Sequence, residues 1–194
     1  SFILHVDGEN LLTDPGRGLY SRDYFNERRY ENLFTNSYGH SVPRIGGALQ
    51  SNGATFRGEL VAVSTKGKRK HAVVEFSAAY ALPTLKGLRR QLSLSPGGVV
   101  ELEDSFTFTG APTAVEEAFI TWFDVEVNGS SALVKGQRHT LLLSVEAPVG
   151  VPFALERLEE ACRANDKPGV LKRLTLNLPH AEAQRVCIKM TISH

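Results

Sequence analysis

Two side chains in the first quarter of the chain have the chemistry of metal ligands. The Asp14 carboxylate lies in a turn whose backbone Pro15 and Gly16 restrict, and His40 lies in a second, glycine-rich loop. A carboxylate oxygen and an imidazole nitrogen suit zinc, which typically takes about three or four protein ligands. Two simpler interpretations fit the same residues. Asp14 stabilises its own turn by accepting hydrogen bonds from nearby backbone amides, and His40 is an ordinary surface residue.

Arginine side chains cluster around these two loops. Guanidinium groups pair bidentately with carboxylates and sulfates, so an anionic ligand is one candidate partner. The acidic residues of the same stretch, Asp23, Glu27 and Glu31, are the alternative partners. The arginines concerned are Arg17, Arg22, Arg28, Arg29 and Arg44.

The elements that must position these residues are predominantly β-strands. Apolar and polar residues alternate along most of the chain, and turn residues interrupt the alternation. Asp7-Gly8 is typical of a two-residue hairpin turn, and residues 95–98 form a proline–glycine turn. Strands are predicted over residues 2–6, 9–12, 54–64, 71–80, 89–94, 99–108, 114–127, 132–135, 139–146, 170–178 and 185–192. This pattern predicts a mainly β fold, a large antiparallel two-sheet β-sandwich that forms a single domain over residues 1–194.

Two segments depart from the strand pattern. Leu155, Leu158 and Cys162 fall on one helical face, which predicts one short helix over residues 153–165. The aromatic residues of 21–34 fit neither period, so we expect a connector that contains a helical turn. Core positions are expected for the aromatic residues of the long apolar strand, Phe119, Trp122 and Phe123.

The composition is that of a globular protein. Apolar residues make up 42% and charged residues 22% of the 194 residues, and no apolar run is long enough to span a bilayer. A net charge of +1 gives no reason to expect nucleic-acid binding. The two cysteines, Cys162 and Cys187, fit either a disulfide or two buried thiols. Since Met190 is the only methionine, we expect that Ser1 is not a translation start and that the chain is part of a longer one.

A series of short motifs follows one another in the first fifty residues. They are Ser1-Phe2, Asp7-Gly8-Glu9, the run D-P-G-R-G-L-Y that ends at Tyr20, and His40-Ser41 followed by Gly46-Gly47 and Gln50. In this order they resemble the β-rich C-terminal region of the heparinase II/III-like polysaccharide lyases. Serine stands at position 41, where many members of that family have asparagine. Looser similarity continues at Leu88-Arg89-Arg90, Asp104-Ser105-Phe106 and Glu116-Glu117-Ala118-Phe119.

The resemblance implies roles for particular residues. Asp14 and His40 would be two ligands of a zinc ion, and Tyr20, Arg17 and Arg44 would contact an acidic glycan. Tyr20 equally fits an ordinary aromatic packing position. In the family, a further metal ligand precedes the region that this chain matches, and the catalytic tyrosine belongs to an upstream α-helical toroid. We therefore expect this chain to be inactive alone.

The resemblance also implies a reaction. Such lyases cleave uronate-containing polysaccharides by β-elimination, so the expected partners are an acidic glycan and the toroid, in a periplasmic or secreted protein. One alternative is a non-catalytic carbohydrate-binding β-sandwich, which would expose aromatic residues on one sheet face. Another is a cupin-like metal enzyme, which would need a His-x-His pair that the sequence lacks.

Overall fold

The computed structural model describes residues 1–110 and 113–193. Within these residues the chain forms fourteen β-strands, one α-helix and four short 3-10 helices. The strands are β1 (Leu4–Val6), β2 (Glu9–Leu12), β3 (Arg44–Ile45), β4 (Glu59–Ser64), β5 (Lys70–Glu75), β6 (Leu85–Ser95), β7 (Val99–Phe108), β8 (Val115–Thr121), β9 (Asp124–Asn128), β10 (Ser131–Lys135), β11 (Thr140–Ala147), β12 (Phe153–Arg157), β13 (Lys172–Leu178) and β14 (Ala183–Ser193). The α-helix is α1 (Glu159–Ala164), and the 3-10 helices are Asp23–Phe25, Glu27–Glu31, Ser37–Gly39 and Ser77–Ala79.

Twelve of the fourteen described strands form two stacked antiparallel sheets, and β1 and β2 pair with each other in a separate hairpin. In the described part of the chain, one sheet has eight strands in the order β4-β5-β6-β7-β14-β11-β10-β9, and the other has four in the order β12-β13-β8-β3. Alternate residues of both sheets share one apolar core, for example Phe106 and Ile188 from the larger sheet with Phe119 and Leu174 from the smaller. Burying each such side chain contributes about 1.5–3 kcal/mol. The predicted mainly β, two-sheet sandwich is confirmed.

A third layer covers the outer face of the four-stranded sheet. Phe34 from the connector and Cys162 from α1 pack there with Ile120 of β8 in a second, smaller core. Trp122 is partly buried in the same cluster, and its ring stacks on that of Phe34 with centroids 6.4 Å apart. The connector also contains the helical turns expected for it, at Asp23–Phe25 and Glu27–Glu31. This third layer carries the loops of the candidate site.

The hairpin of β1 and β2 forms as the Asp-Gly signal predicts. Both turn residues have positive φ, 44° at Asp7 and 89° at Gly8. The Glu9 carboxylate then accepts hydrogen bonds from the backbone N–H groups of residues 137–139, which fixes the hairpin to the turn after β10. Immediately after β2, the Thr13 N–H donates to the Ile120 carbonyl at 2.9 Å. The chain therefore enters the Asp14 turn along the edge of β8.

Four predicted elements have to be corrected. The strand predicted over residues 54–64 begins only at Glu59, and the strand predicted over residues 71–80 ends at Glu75 and is followed by the 3-10 helix Ser77–Ala79. The helix predicted over residues 153–165 is right only in its second half. Phe153–Arg157 is strand β12, because pairing with β13 and burial of Phe153 outweigh the helical spacing of the same apolar residues. The single strand predicted over residues 114–127 is two strands, β8 and β9, which belong to different sheets. No glycine or proline interrupts residues 114–127, so their sequence gives no turn signal where the chain crosses between the sheets.

The remaining expectations concern cysteines and membranes. Both cysteines are free thiols, Cys162 buried in α1 and Cys187 half-buried in β14. Among the described residues, no helix is both long and apolar enough to cross a bilayer.

Candidate functional site

The structure brings Asp14 and His40 together. The Nδ1 atom of His40 lies 3.3 Å from the Oδ2 atom of Asp14, although the two residues belong to separate loops of the third layer. The Asp14 side chain is 46% exposed and that of His40 is 22% exposed. We call these two residues the surface pair. Their convergence was expected from the family resemblance, and their role stays a prediction.

The Asp14 turn depends on two glycines and on α1. Gly16 has φ +73°, and its N–H donates to Asp14 Oδ1 at 2.9 Å, so one carboxylate oxygen holds the turn while the other faces His40. A Cβ atom at Gly18 would lie 2.7 Å from the Asn32 side chain and 2.9 Å from that of Asn165. The side-chain oxygen of Asn165, Oδ1, in turn accepts a hydrogen bond from the Leu19 N–H at 2.9 Å. The residue after α1 therefore sets the path of the turn.

The His40 loop is fixed by the residue that follows the histidine. Ser41 is fully buried, and its hydroxyl accepts a hydrogen bond from the Ile120 N–H at 3.1 Å. Its carbonyl accepts from the Arg90 guanidinium at 2.7 Å. Ser41 thus holds the loop against both sheets. A Cβ atom at Gly39 would lie 2.5 Å from the Leu33 carbonyl, which explains the glycine before the histidine.

Behind this loop lies a buried charge network of Arg90, Asp104 and Glu117. The Arg90 guanidinium donates to Asp104 at 2.8 and 2.6 Å and to Glu117 at 3.2 Å. Both carboxylates are fully buried. Burial raises the pKa of Glu117 well above its ordinary value, the nearby Asp104 carboxylate adds to the rise, and Arg90 opposes it. The raised pKa favours the protonated form of Glu117, in which the one positive charge of Arg90 balances the one negative charge of Asp104.

A polar depression of about 460 Å³ surrounds the surface pair. Burial lowers the pKa of His40, and the Asp14 carboxylate offsets this only in part, so the imidazole is neutral near pH 7. Most of the other side chains around the depression carry amides or hydroxyls. These groups both donate and accept hydrogen bonds, so they can pair with sugar hydroxyls. They include Tyr30, Thr35, Asn36, Ser37, Gln50, Ser51 and Asn52.

The surface pair fits part of a zinc site. Ligand atoms of a tetrahedral zinc ion with bonds of about 2.0–2.2 Å lie roughly 3.3–3.5 Å apart, close to the 3.3 Å between the Asp14 and His40 atoms. A neutral imidazole and a carboxylate are also the protonation states that ligation requires. Within residues 1–110 and 113–193, however, no group of three or more His, Cys, Asp or Glu side chains could hold a metal. The described residues therefore offer two of the ligands that such a site would need.

The three predicted glycan-binding residues lie in two places. Arg17 and Tyr20 stay together on the exposed side of the Asp14 turn, where the guanidinium carbon lies 4.1 Å from the ring centroid. Arg44 lies elsewhere, in β3, where it forms an ion pair with Glu116 at 3.3 Å and lines a separate, smaller depression. The structure therefore groups Arg17 with Tyr20 and leaves Arg44 apart.

Sequence reasoning missed the residues that support the site from behind. Lys167 donates to the backbone carbonyls of Pro15 and Arg17, and Asn165 bonds the same turn, although both are distant in sequence. No local pattern marks either residue. Arg90 and Asp104 did carry a signal, because each is a charged residue at a position where alternation places the side chain in the core.

Comparisons with known proteins agree with this architecture. No protein-family model and no curated protein sequence matches the chain. Solved structures do match it. Heparan sulfate lyase HepC from Pedobacter heparinus matches with a TM-score of 0.74 and 10% identity over 95% of this chain and 29% of that chain. The heparinase III BT4657 gene product matches with a TM-score of 0.74 and 13% identity over 96% and 29% of the two chains.

A further structure described as heparinase III matches with a TM-score of 0.72 and 14% identity, over 95% of this chain and 28% of that one. The chain thus spans less than a third of the length of the structures it matches. At these identities the likeness shows the fold. The chain has the fold of a β-sheet region of heparinase III and heparan sulfate lyase, which is the fold that the sequence motifs implied.

Proposed function

We propose that this chain is the β-sheet domain of a polysaccharide lyase that cleaves uronate-containing glycans by β-elimination. The observation that supports this most is the convergence of Asp14 and His40 at 3.3 Å, on a fold shared with heparan sulfate lyases. In this proposal the domain supplies metal ligands and glycan contacts. An upstream α-helical toroid supplies the base and acid.

The reaction removes the proton α to the uronate carboxylate, and the C–H electron pair becomes a carbon–carbon double bond. The glycosidic C–O bond breaks, and its oxygen leaves with the electron pair and takes up a proton. The charged carboxylate disfavours loss of the α proton, so cationic and hydrogen-bonding groups that face it lower the barrier. Arg17 is suited to this task, because a guanidinium pairs with a carboxylate bidentately.

The surface pair serves to order the two loops that border the depression. Asp14 Oδ2 and His40 Nδ1 would hold the zinc ion, while Asp14 Oδ1 keeps its bond to the Gly16 N–H. When bound, zinc would supply a fixed positive charge that joins the two loops. The amide and hydroxyl groups around the pair would orient the sugar rings by hydrogen bonds.

The activity test uses the complete gene product. The protein is incubated with heparan sulfate, heparin, alginate and other acidic polysaccharides, and the absorbance of unsaturated uronate is followed. We expect product from at least one substrate. No product from any of them, with a folded and metal-loaded protein, would contradict the lyase assignment.

The metal test compares variants by elemental analysis of the same gene product. Asp14→Ala and His40→Ala should each lower the zinc content severalfold, since each removes one ligand. The controls Asp23→Ala and His5→Ala change the same residue types at exposed positions, where Asp23 pairs with Arg28 and His5 bonds Asn10. Equal zinc in all five proteins would remove the proposed site.

A non-catalytic carbohydrate-binding domain is the second candidate. The exposed aromatic residues Tyr20, Phe25 and Tyr30 favour it, because exposed aromatic side chains suit sugar binding. They lie in or next to the connector, whereas this alternative expects them on a sheet face. The activity assay separates the two candidates, because only the lyase forms an unsaturated product.

A further inference from the structure

The connector presents a cluster of aromatic rings to solvent. Phe25 is 72% exposed, Tyr20 is 58% exposed, and the half-buried Tyr24 lies between them. The three ring centroids are 5.0, 5.3 and 5.4 Å apart, so the rings form one contiguous surface. Single exposed apolar residues are common on protein surfaces, but contiguous exposed apolar surface is typical of binding sites.

Two arginines extend this surface at both ends. Arg17 lies over the Tyr20 ring at 4.1 Å, and Arg29 lies 5.3 Å from the Tyr24 centroid and 5.4 Å from that of Tyr30. A guanidinium group over an aromatic ring is attracted to it by a cation–π interaction, and its N–H groups can still donate to an anion. Arg17 uses one of them, on Nη1, in a 3.4 Å hydrogen bond to the Gly18 carbonyl. We call Arg17, Tyr20, Tyr24, Phe25, Arg29 and Tyr30 the aromatic–arginine platform.

The charges of the platform are available to a ligand. Among the described residues, neither Arg17 nor Arg29 forms an ion pair with a carboxylate. Arg28, their neighbour, pairs with both Asp23 at 3.1 Å and Glu31 at 2.9 Å, so these two carboxylates are paired away from Arg17 and Arg29. Glu27 is the one remaining carboxylate of residues 17–31. The platform therefore combines aromatic faces with guanidinium groups that lack an internal anion.

The platform is continuous with the depression around the surface pair. Tyr30 belongs to both, since it contacts Arg29 on one side and lines the depression with Asp14 and His40 on the other. A ligand seated beside the surface pair can therefore run outward over Tyr30 and Arg29 to the exposed rings.

We propose that the aromatic–arginine platform binds the part of an acidic glycan chain that extends beyond the surface pair. The apolar faces of sugar rings pack on Tyr20, Tyr24 and Phe25, while carboxylate or sulfate groups pair with Arg17 and Arg29. A sugar polymer with regularly spaced anions matches this alternation of rings and cations. The inference rests on the proposed function for the class of ligand, and it adds a binding surface that extends along the chain of that ligand.

The test measures affinity in the chain described, so no catalysis is needed. Calorimetric titration with a sized heparan sulfate oligosaccharide, an alginate oligosaccharide and neutral maltohexaose is performed on the wild type and on two platform variants, Phe25→Ala and Arg29→Gln. Each variant should weaken binding of an acidic oligosaccharide at least about fivefold.

Matched controls are Leu142→Ala and Arg185→Gln, which make the same kinds of change on exposed residues of β11 and β14 in the other sheet. Their affinities should stay within about twofold of the wild type. Losing Arg185 or Arg29 removes the same net charge, so a larger loss of affinity in the Arg29 variant reports a specific contact. Unchanged affinity in both platform variants overturns the proposal, as does failure to bind any acidic oligosaccharide or equal binding of maltohexaose. Platform-dependent binding without lyase activity would support this inference and contradict the proposed function. Lyase activity without platform-dependent binding would support the proposed function and contradict this inference.

Discussion

The buried charge network and the surface pair use the same kinds of side chain in opposite surroundings. In the network, Arg90 and two carboxylates are sealed between the sheets and pair with one another. In the surface pair, Asp14 and His40 remain partly exposed beside a polar depression. Burial thus commits one set of charges to holding the fold, whereas partial exposure leaves bonding capacity for a ligand.

The largest expected effect comes from removing the cation of the network. Arg90→Met leaves Asp104 and Glu117 buried without their partner and should lower the free energy of unfolding by about 3–5 kcal/mol. The control is Arg89→Met, because Arg89 is the adjacent exposed residue of β6. Denaturant unfolding measures both. Similar stability of the two variants would mean that Arg90 contributes no more to the free energy of unfolding than an exposed arginine does.

The protonation of Glu117 gives the next largest effect. Because folding raises the pKa of Glu117, protonated Glu117 contributes to stability. This contribution is fully present below about pH 4.5, the ordinary glutamate pKa, and is lost as the pH rises towards the pKa of the folded state. Glu117→Gln keeps a neutral side chain, so its stability relative to the wild type should increase above pH 4.5 by up to about 1.4 kcal/mol per pH unit.

Glu103→Gln is the contrasting variant for the same pH series. A hydrogen bond from Arg185 lowers the pKa of Glu103, so the wild-type contribution should be lost as the pH falls instead. Parallel stability profiles for the Glu117 variant and the wild type would show that Glu117 is ionised in the folded state.

A smaller effect is expected at the turn of the surface pair. Gly18→Ala places a Cβ atom 2.7 Å from Asn32 and 2.9 Å from Asn165, so it should cost about 1–3 kcal/mol and displace the Asp14 turn. Gly87→Ala in β6 meets only ordinary contacts at 3.7 Å or more and serves as the control. Thermal unfolding and amide chemical shifts of residues 14–20 report the two effects. An undisturbed turn in the Gly18 variant would contradict the role assigned to this glycine.

The smallest effect is expected at the residue that joins the two regions. Ser41→Ala leaves the buried Ile120 N–H without its hydroxyl partner and should cost about 1–2 kcal/mol. Ser105→Ala, at a half-buried position in β7, is the control. Urea unfolding compares them, and a cost no larger than that of the control would show that the hydroxyl does not hold the loop.

Local turn chemistry made part of the fold predictable. The Asp7-Gly8 hairpin forms as expected, and strand 99–108 has the bounds that its sequence predicted. The helix over 153–165 was half wrong, because the residues of Phe153–Arg157 fit both periods and the partner strand β13 decides between them. Local sequence cannot supply that partner.

The candidate site was predictable to a different extent. Asp14 and His40 were identified through family motifs, since spacing alone does not bring two loops together. The buried charge network was not identified, although its three residues lie in segments that showed looser family similarity. Arg90 stands directly opposite Asp104 in the β6–β7 register, a fact that appears only once the strands are paired.

The backbone of one residue of β8, Ile120, bonds both loops of the surface pair. The Ile120 carbonyl accepts from Thr13, the neighbour of Asp14, and the Ile120 N–H donates to Ser41, the neighbour of His40. The same backbone residue therefore positions the loop of the Asp14 carboxylate and the loop of the His40 imidazole. A one-residue slip of β8 would therefore displace both loops together.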